Sequence, residues 1–335
     1  MDIKKVLFFK PGAIGDLLHA LPALKALKQK YPAALVTVVV SPGLESLLQG
    51  TPVADRVLVF DKSQLKKSLR YFIEFGLRLR DERYELFVDM QPSARSFVLR
   101  RICGAKQTLV YRKQKHAGRV ARRLHAVHNF METLRPIGID ESAESIELHL
   151  PDEALRSVDR FLSEKGVDRN RPLIALNCGV GAARPARNWF PERFGSLADR
   201  LIRELGAAVV FVGGKEDEEL VRNVMAGMKE TALSAAGELS IAESAALLAR
   251  CACLVSSDTG PLHLATAVGT RVVGLFGSTD PMRTGPVGRG HRILIKDLAC
   301  VPCEEKHCPL GMRACMDAIS IEDVFQAVRK AAGCD

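Results

Sequence analysis

Short apolar runs alternate with helical stretches along nearly the whole chain, and that alternation leaves few folds open. In the first half the runs are Val6–Phe9, Leu35–Val40, Val57–Phe60, Leu86–Met90 and Thr108–Tyr111. Helical patterns such as Leu17–Lys30 and Leu65–Arg80 lie between them. In the second half Leu173–Leu176, Ala208–Val212, Cys253–Val255 and Val272–Phe276 alternate with helices near Pro191–Leu205, Glu216–Lys229 and Ile241–Ala249. Strands separated by helices imply parallel sheets with right-handed crossovers. At 335 residues the chain is long for one core and comfortable for two. The best linker candidate is Glu147-Leu148-His149-Leu150-Pro151-Asp152, followed by a helix and the turn Gly166–Pro172. The reading is α/β, with two Rossmann-like domains, residues 1–150 and 151–335. They face each other across a cleft, with ligands at the C-terminal ends of the strands.

The turns that follow the strands carry the polar chemistry. Val255-Ser256-Ser257-Asp258-Thr259-Gly260-Pro261-Leu262-His263 reads as a strand delivering its end to the start of a helix. Pro261 suits the first helical turn, where its missing N–H is not needed. Gly260 lets the backbone approach a ligand, and free N–H groups with the helix dipole favour an anion. Asp258 and Thr259 are also ordinary helix-capping residue types. The loop from Asn177 to Pro191 holds Arg184, Arg187 and the single tryptophan, and either arginine is suited to clamp a diphosphate. Gly213-Gly214-Lys215-Glu216-Asp217 and Phe276-Gly277-Ser278-Thr279-Asp280-Pro281 are two more such turns. Four in one half point to a phosphate- and ribose-binding site. In the first half, Lys10-Pro11-Gly12-Ala13-Ile14-Gly15-Asp16-Leu17 is a glycine turn with a carboxylate, Asp16, near the next helix. Asp16 is read there as a helix cap or as a catalytic base at the mouth of the cleft. With no third glycine in register the turn is not a dinucleotide fingerprint, which disfavours a nicotinamide-dependent oxidoreductase.

Charge is unevenly placed. The net +9 comes from the first half, where residues 1–150 hold 25 Lys/Arg against 15 Asp/Glu. From Arg95 to Arg123 there are ten basic residues, among them Arg119, Arg122 and Arg123, and no acid. This predicts an anionic partner. Few aromatics interleave, which argues against single-stranded nucleic acid. No apolar run approaches the roughly 20 residues needed to span a bilayer. The run Val6–Phe9 is too short for a signal segment, so a cytoplasmic location is expected.

Nine cysteines include a compact set, Cys300-x2-Cys303-x4-Cys308-x6-Cys315. In a cytoplasmic setting such clustering suggests zinc or an iron–sulfur cluster over disulfides, although the spacing matches no zinc or ferredoxin pattern. A structural metal is one reading of the set; reduced thiols or a disulfide are the others. His19, in the first helix, reads as a packed or polar-face histidine.

Lys10…Ile14-Gly15-Asp16-Leu17…Pro22, Asn188-Trp189-Phe190-Pro191, Ser257-Asp258-Thr259-Gly260-Pro261-Leu262-His263-Leu264-Ala265 and Phe276-Gly277-Ser278-Thr279-Asp280-Pro281 together resemble the ADP-heptose:lipopolysaccharide heptosyltransferases. These are glycosyltransferase family 9 enzymes of the GT-B fold, and the resemblance runs from Lys4 to about Val324. It implies transfer of heptose from ADP-heptose to the inner core of lipopolysaccharide (lipid A-linked Kdo or heptose), with inversion and no required cofactor or metal. By the same resemblance Asp16 is the general base and Gly15 lies on the acceptor side, with Arg119, Arg122 and Arg123 taken as acceptor-binding. Asp258, Thr259, Gly260 and His263 match the donor diphosphate site. Arg187 stands where the family often has lysine. Asp217 falls where it often has a glutamate on the donor ribose, one methylene longer. The enzyme is then expected on the cytoplasmic surface of the inner membrane, peripherally bound and without nucleic acid.

The chemistry is coherent apart from the name. An acceptor hydroxyl loses its proton to a carboxylate as the new C–O bond forms. The departing ADP gains charge that a helix N-terminus and an arginine can stabilise. The rival readings are a family 9 transferase using another nucleotide sugar, and a non-enzymatic nucleotide-binding module with a metal or redox site at the cysteines.

Overall fold

The computed structural model describes residues 3–65, 68–112, 124–140, 145–181 and 183–333. The chain divides into two compact units, Met1–His149 and Leu150–Asp335. The first contains β1 (Lys5–Phe9), α1 (Ile14–Lys30), β2 (Leu35–Val40), β3 (Arg56–Val59), α2 (Lys62–Leu65), α3 (Leu69–Asp81), β4 (Leu86–Asp89), α4 (Ala94–Cys103), β5 (Gln107–Val110) and α5 (Ala126–Glu132). Its five strands form one parallel sheet in the order β3-β2-β1-β4-β5. The strands were legible as continuous apolar runs because a parallel sheet is covered on both faces. Phe9, Phe60, Phe75, Phe87 and Leu99 fill the space between this sheet and α3 and α4.

The second unit contains α6 (Asp152–Glu164), β6 (Leu173–Asn177), α7 (Pro191–Leu205), β7 (Ala208–Phe211), α8 (Glu218–Ala226), β8 (Leu233–Ser234) and α9 (Ile241–Ala249). It continues through β9 (Cys253–Ser257), α10 (Gly260–Ala267), β10 (Arg271–Phe276), α11 (Pro281–Thr284), β11 (Arg292–Ile295), α12 (Ala314–Asp317) and α13 (Ile321–Ala332). Its six strands are again all parallel, in the order β11-β10-β9-β6-β7-β8. Trp189, Phe194, Leu197, Phe211, Phe325 and Val328 build the core beneath α7 and α13. The Trp189 indole N–H donates to the carbonyl of Ile319 at 3.0 Å, so the tryptophan of the long loop is a core anchor.

Several elements depart from the sequence pattern. The helix expected over 65–80 is two: Ser68 interrupts it, and its hydroxyl accepts the Tyr71 N–H to cap α3 afresh. The helix expected from Glu216 starts two residues later, after a 3₁₀ turn at Lys215–Asp217. Strands β8 and β11 are additional edge strands: β8 has two residues and no run to read, while β11 carries the short apolar run Ile293-Leu294-Ile295, which the sequence reading does not single out.

Candidate active site

In each sheet the winding reverses once, between β1 and β4 in the first unit and between β6 and β9 in the second. An open α/β sheet takes its ligand at the strand ends beside such a reversal. In the second unit the four polar turns follow β6, β7, β9 and β10, which are neighbours and parallel, so all leave the same edge. Asn177 ends β6 and reaches across the reversal. Its side-chain amide donates to Ser256 Oγ at 3.0 Å, to Thr259 Oγ1 at 2.9 Å and to the carbonyl of Gly179 at 3.0 Å. Thr259 occupies the N-cap position of α10, yet its hydroxyl serves this cluster and no side chain caps the helix. The start of α10 therefore has no side-chain cap, an arrangement that suits an anion.

Asp258, next to it, is fully enclosed. Its carboxylate lies 3.3 Å from His263 Nε2 and 3.3 Å from Arg187 Nη1, and accepts from Thr284 Oγ1 at 3.0 Å. Burial alone would raise this carboxyl. The hydrogen bond and charge of His263, the Arg187 guanidinium and the Thr279 hydroxyl outweigh burial and hold it below the usual carboxylate range. Arg187 also donates to the Asp258 carbonyl at 2.6 Å, which ties the 3₁₀ turn Pro185–Arg187 to the end of β9. Asp217 accepts the Gly214 N–H at 3.0 Å. Its carboxylate occupies the space a side chain would take at Gly179 and Gly213, which joins the turns after β6 and β7. Burial, and the nearby Glu216, push its carboxyl up.

The first unit inverts this arrangement. At the end of β1, Lys10 is 1% exposed and donates to the carbonyl of Gly12 and to Gln91 Oε1, which follows β4. Its ammonium also lies 3.4 Å from Asp16 Oδ2 and 5.8 Å from the centre of the Phe130 ring. Burial lowers the pKa of Lys10, and Asp16 and Asp89 only partly oppose this. Asp16 lies in the first turn of α1, but Ala13 holds the N-cap position and no side chain caps the helix. The Asp16 side chain is 57% exposed, so its carboxylate is presented outward on a buried cation.

A family model described as glycosyltransferase family 9 (heptosyltransferase) matches residues 72–313. The chain belongs to glycosyltransferase family 9. It is 26% identical to lipopolysaccharide heptosyltransferase 1 of Pseudomonas aeruginosa, over 91% of this chain and 87% of that one. It is 23% identical to lipooligosaccharide heptosyltransferase 2 of Campylobacter jejuni, over 97% and 98%. Among solved structures, a family 9 glycosyltransferase from Veillonella parvula superposes with a TM-score of 0.86 at 24% identity, covering 100% of this chain and 99% of that one. ADP-heptose lps heptosyltransferase II of Escherichia coli gives 0.81 at 19% identity, covering 98% and 99%. The protein is therefore a glycosyltransferase of the two-domain GT-B fold.

In this family 9 enzyme, Arg187, Asp258, Thr259, Gly260 and His263 come together, with Asp217 at a neighbouring turn. Gly15 and Asp16 lie in the other unit, at the start of α1. Arg119, Arg122 and Arg123 fall outside the described residues. His19 is buried and packs edge-on against His125, ring centres 5.2 Å apart. Asn177 and Ser256 enter the sequence reading only as members of the turns and without a role of their own; they are polar residues at or near the ends of buried strands, where an apolar residue would serve packing equally well. Lys10 enters the sequence reading only as the first residue of a turn and motif, and Gln91 not at all, because their partnership across β1 and β4 has no local signature.

The cysteine loop has a structural connection that spacing does not reveal. Cys300 is exposed, Cys303 and Cys308 are half-buried and Cys315 is buried, and none is in a disulfide. Among the described residues, no group of three or more His, Cys, Asp or Glu side chains is placed to hold a metal ion. Backbone N–H groups, that of Arg313 foremost, lower the pKa of Cys308, while burial raises that of Cys315. The loop leans on the turn that carries Arg187. Ala186 N–H donates to the Lys306 carbonyl at 3.1 Å, and Arg313 donates to the Asn188 carbonyl at 3.0 Å. Arg313, which makes the second of these contacts, and Glu304, whose N–H donates to the Ser278 carbonyl, both adopt left-handed backbone, at φ +48° and +61°.

Proposed function

We propose that this enzyme transfers heptose from ADP-heptose to the inner core of lipopolysaccharide, with inversion and with Asp16 as general base. The observation that carries the chemistry is Asp16: an exposed carboxylate at a strand-to-helix turn, held by a buried ammonium and relieved of any capping duty. Such a group accepts the proton of an acceptor hydroxyl as the hydroxyl attacks the anomeric carbon. The second unit takes the donor. The N-terminus of α10 and the Arg187 guanidinium meet the diphosphate and stabilise the charge that ADP gains on leaving, so the step as proposed uses no metal. Asp258 shapes this site through Arg187 and His263, and Asp217 faces the ribose. The donor assignment draws on the E. coli heptosyltransferase WaaC, whose structure with ADP-2-deoxy-2-fluoro heptose superposes on this chain with a TM-score of 0.69 at 20% identity. The acceptor binds the basic first unit, with Arg119, Arg122 and Arg123 among its contacts, and the enzyme works at the cytoplasmic face of the inner membrane. No described helix is long and apolar enough to cross a membrane, in keeping with a peripheral attachment.

The test is to supply ADP-heptose and other nucleotide sugars with truncated lipopolysaccharide cores and to follow ADP release. Release with ADP-heptose and a core acceptor is the expected result; release only with a different nucleotide sugar reassigns the donor. Hydrogen exchange with ADP should protect peptides around residues 177–187 and 256–263, and protection confined to residues 1–149 reverses the roles of the units. For the cysteine loop we propose a bracing role for the Arg187 turn. As placed, its side chains do not fit a metal ion, and metal analysis of the purified protein tests the structural metal expected from the spacing.

A further inference from the structure

We propose that the outer face of α3 and α4 docks onto a bilayer surface rich in anionic lipid. Leu69, Ile73 and Leu77 recur at four-residue spacing and so form one stripe along α3. Leu69 is 72% exposed, and Ile73 is exposed as well. On α4, Phe97 is 49% exposed beside exposed Val98. The Arg101 guanidinium joins the two patches: it stands 5.4 Å from the centre of the Phe97 ring and lines the same groove as Ile73 and Leu77. Two exposed apolar patches bridged by an arginine stem, left to water in this way, mark an interaction site.

Charge selects the occupant. The two helices carry three arginines each, against two acids, both on α3. Leucine, isoleucine and valine side chains offer nothing to a nucleic-acid backbone. The boundary between lipid headgroups and acyl chains accommodates both kinds of group at once. Apolar tips insert there, arginine stems lie in the apolar layer, and guanidinium heads meet phosphates. The excess of positive charge in this half of the chain, 25 basic against 15 acidic residues, favours an anionic bilayer over a zwitterionic one. The choice of a bilayer over a protein partner rests in part on the proposed lipid-linked acceptor.

The experiment is co-sedimentation of the full chain with vesicles of phosphatidylethanolamine and phosphatidylglycerol, and with vesicles of phosphatidylcholine alone. Wild-type protein should bind the anionic vesicles and lose binding as salt rises. The double variant Ile73→Glu/Phe97→Glu should bind at least tenfold more weakly, and Arg78→Glu/Arg101→Glu should weaken binding with a shallower salt dependence. Because all four side chains face outward, thermal melting should stay near that of the wild type. Transfer to a water-soluble deacylated core acceptor should be unchanged in every variant. Equal vesicle binding by wild type and the Ile73/Phe97 variant overturns the proposal. So does self-association, or binding to RNA, that depends on these residues while vesicles are ignored. If wild type binds vesicles but does not transfer heptose to the soluble acceptor, the surface stands and the proposed reaction fails.

Discussion

The two reversals of strand order use the same parts in opposite ways. In the first unit the cation is buried and the carboxylate is outside: Lys10 is enclosed, and Asp16 is presented to solvent. In the second the carboxylate is buried, and Arg187, His263 and Thr284 enclose it. Both are strand-to-helix turns with glycine and aspartate, so their sequences read alike. The difference lies in what each aspartate is free to do. Asp16, with one long contact to an ammonium, can take up a proton from something outside the protein. Asp258 has all its hydrogen-bonding capacity spent on organising its neighbours, and acts on a ligand through them.

The largest effect that can break this contrast is on turnover. Asp16→Asn should lower kcat by about 10²–10⁴-fold, the range for a lost general base. Its unfolding free energy should move by about 1 kcal/mol at most, as expected for a half-exposed ion pair. Near-normal turnover would make the two aspartates equivalent after all. Asp258→Ala should do the reverse. Removing one partner of a buried ion pair costs about 3–5 kcal/mol, so urea unfolding of the variant should shift strongly, and ADP binding by calorimetry should weaken with it. Unchanged stability would mean that Arg187 and His263 do not depend on that carboxylate.

The pH dependence of stability sharpens the same comparison. The depressed carboxyl of Asp258 contributes stability that is present above the unfolded value of about 3.9 and lost as pH falls through the folded value. Lys10 is depressed from its ordinary value of 10.5, so the unfolded chain binds its proton more readily. Its share of stability therefore rises with pH between the folded value and 10.5. Melting curves should show that Asp258→Asn flattens the acid limb and Lys10→Met the alkaline limb; an exchange of these signatures would refute the assignment. The smallest effect is expected at Thr259→Val. It removes one hydroxyl from the Asn177 cluster, a loss of about 1 kcal/mol in folding stability, with ADP affinity falling by no more than about fivefold through the loosened turn. An effect on kcat with no change in ADP affinity would move Thr259 from binding to chemistry.

Most strands of both sheets, and the residues at the ends of β1 and β9, were legible from the chain itself. A buried parallel strand must be an uninterrupted apolar run, and a turn at its end must carry glycine and small polar residues. The residues that escaped were of two kinds. Strand β8 is two residues long and shows no pattern, and the apolar run of β11 follows no helical stretch that would mark it as the next strand. The pairings of Asn177 with Ser256 and of Lys10 with Gln91 run across neighbouring strands, so motifs that contain three of these residues do not show whom they meet. What the sequence determined alone is the alternation of elements, the basic first half and the family 9 motifs, because period, charge and local turn chemistry are properties of neighbours along the chain. Which aspartate is enclosed and which is exposed, and that the cysteine loop hydrogen-bonds to the turn bearing Arg187, only the tertiary structure decided. Burial and ion pairing depend on groups tens of residues apart, as with Arg187 and Asp258 or Lys10 and Gln91, and no local pattern records which of them will meet.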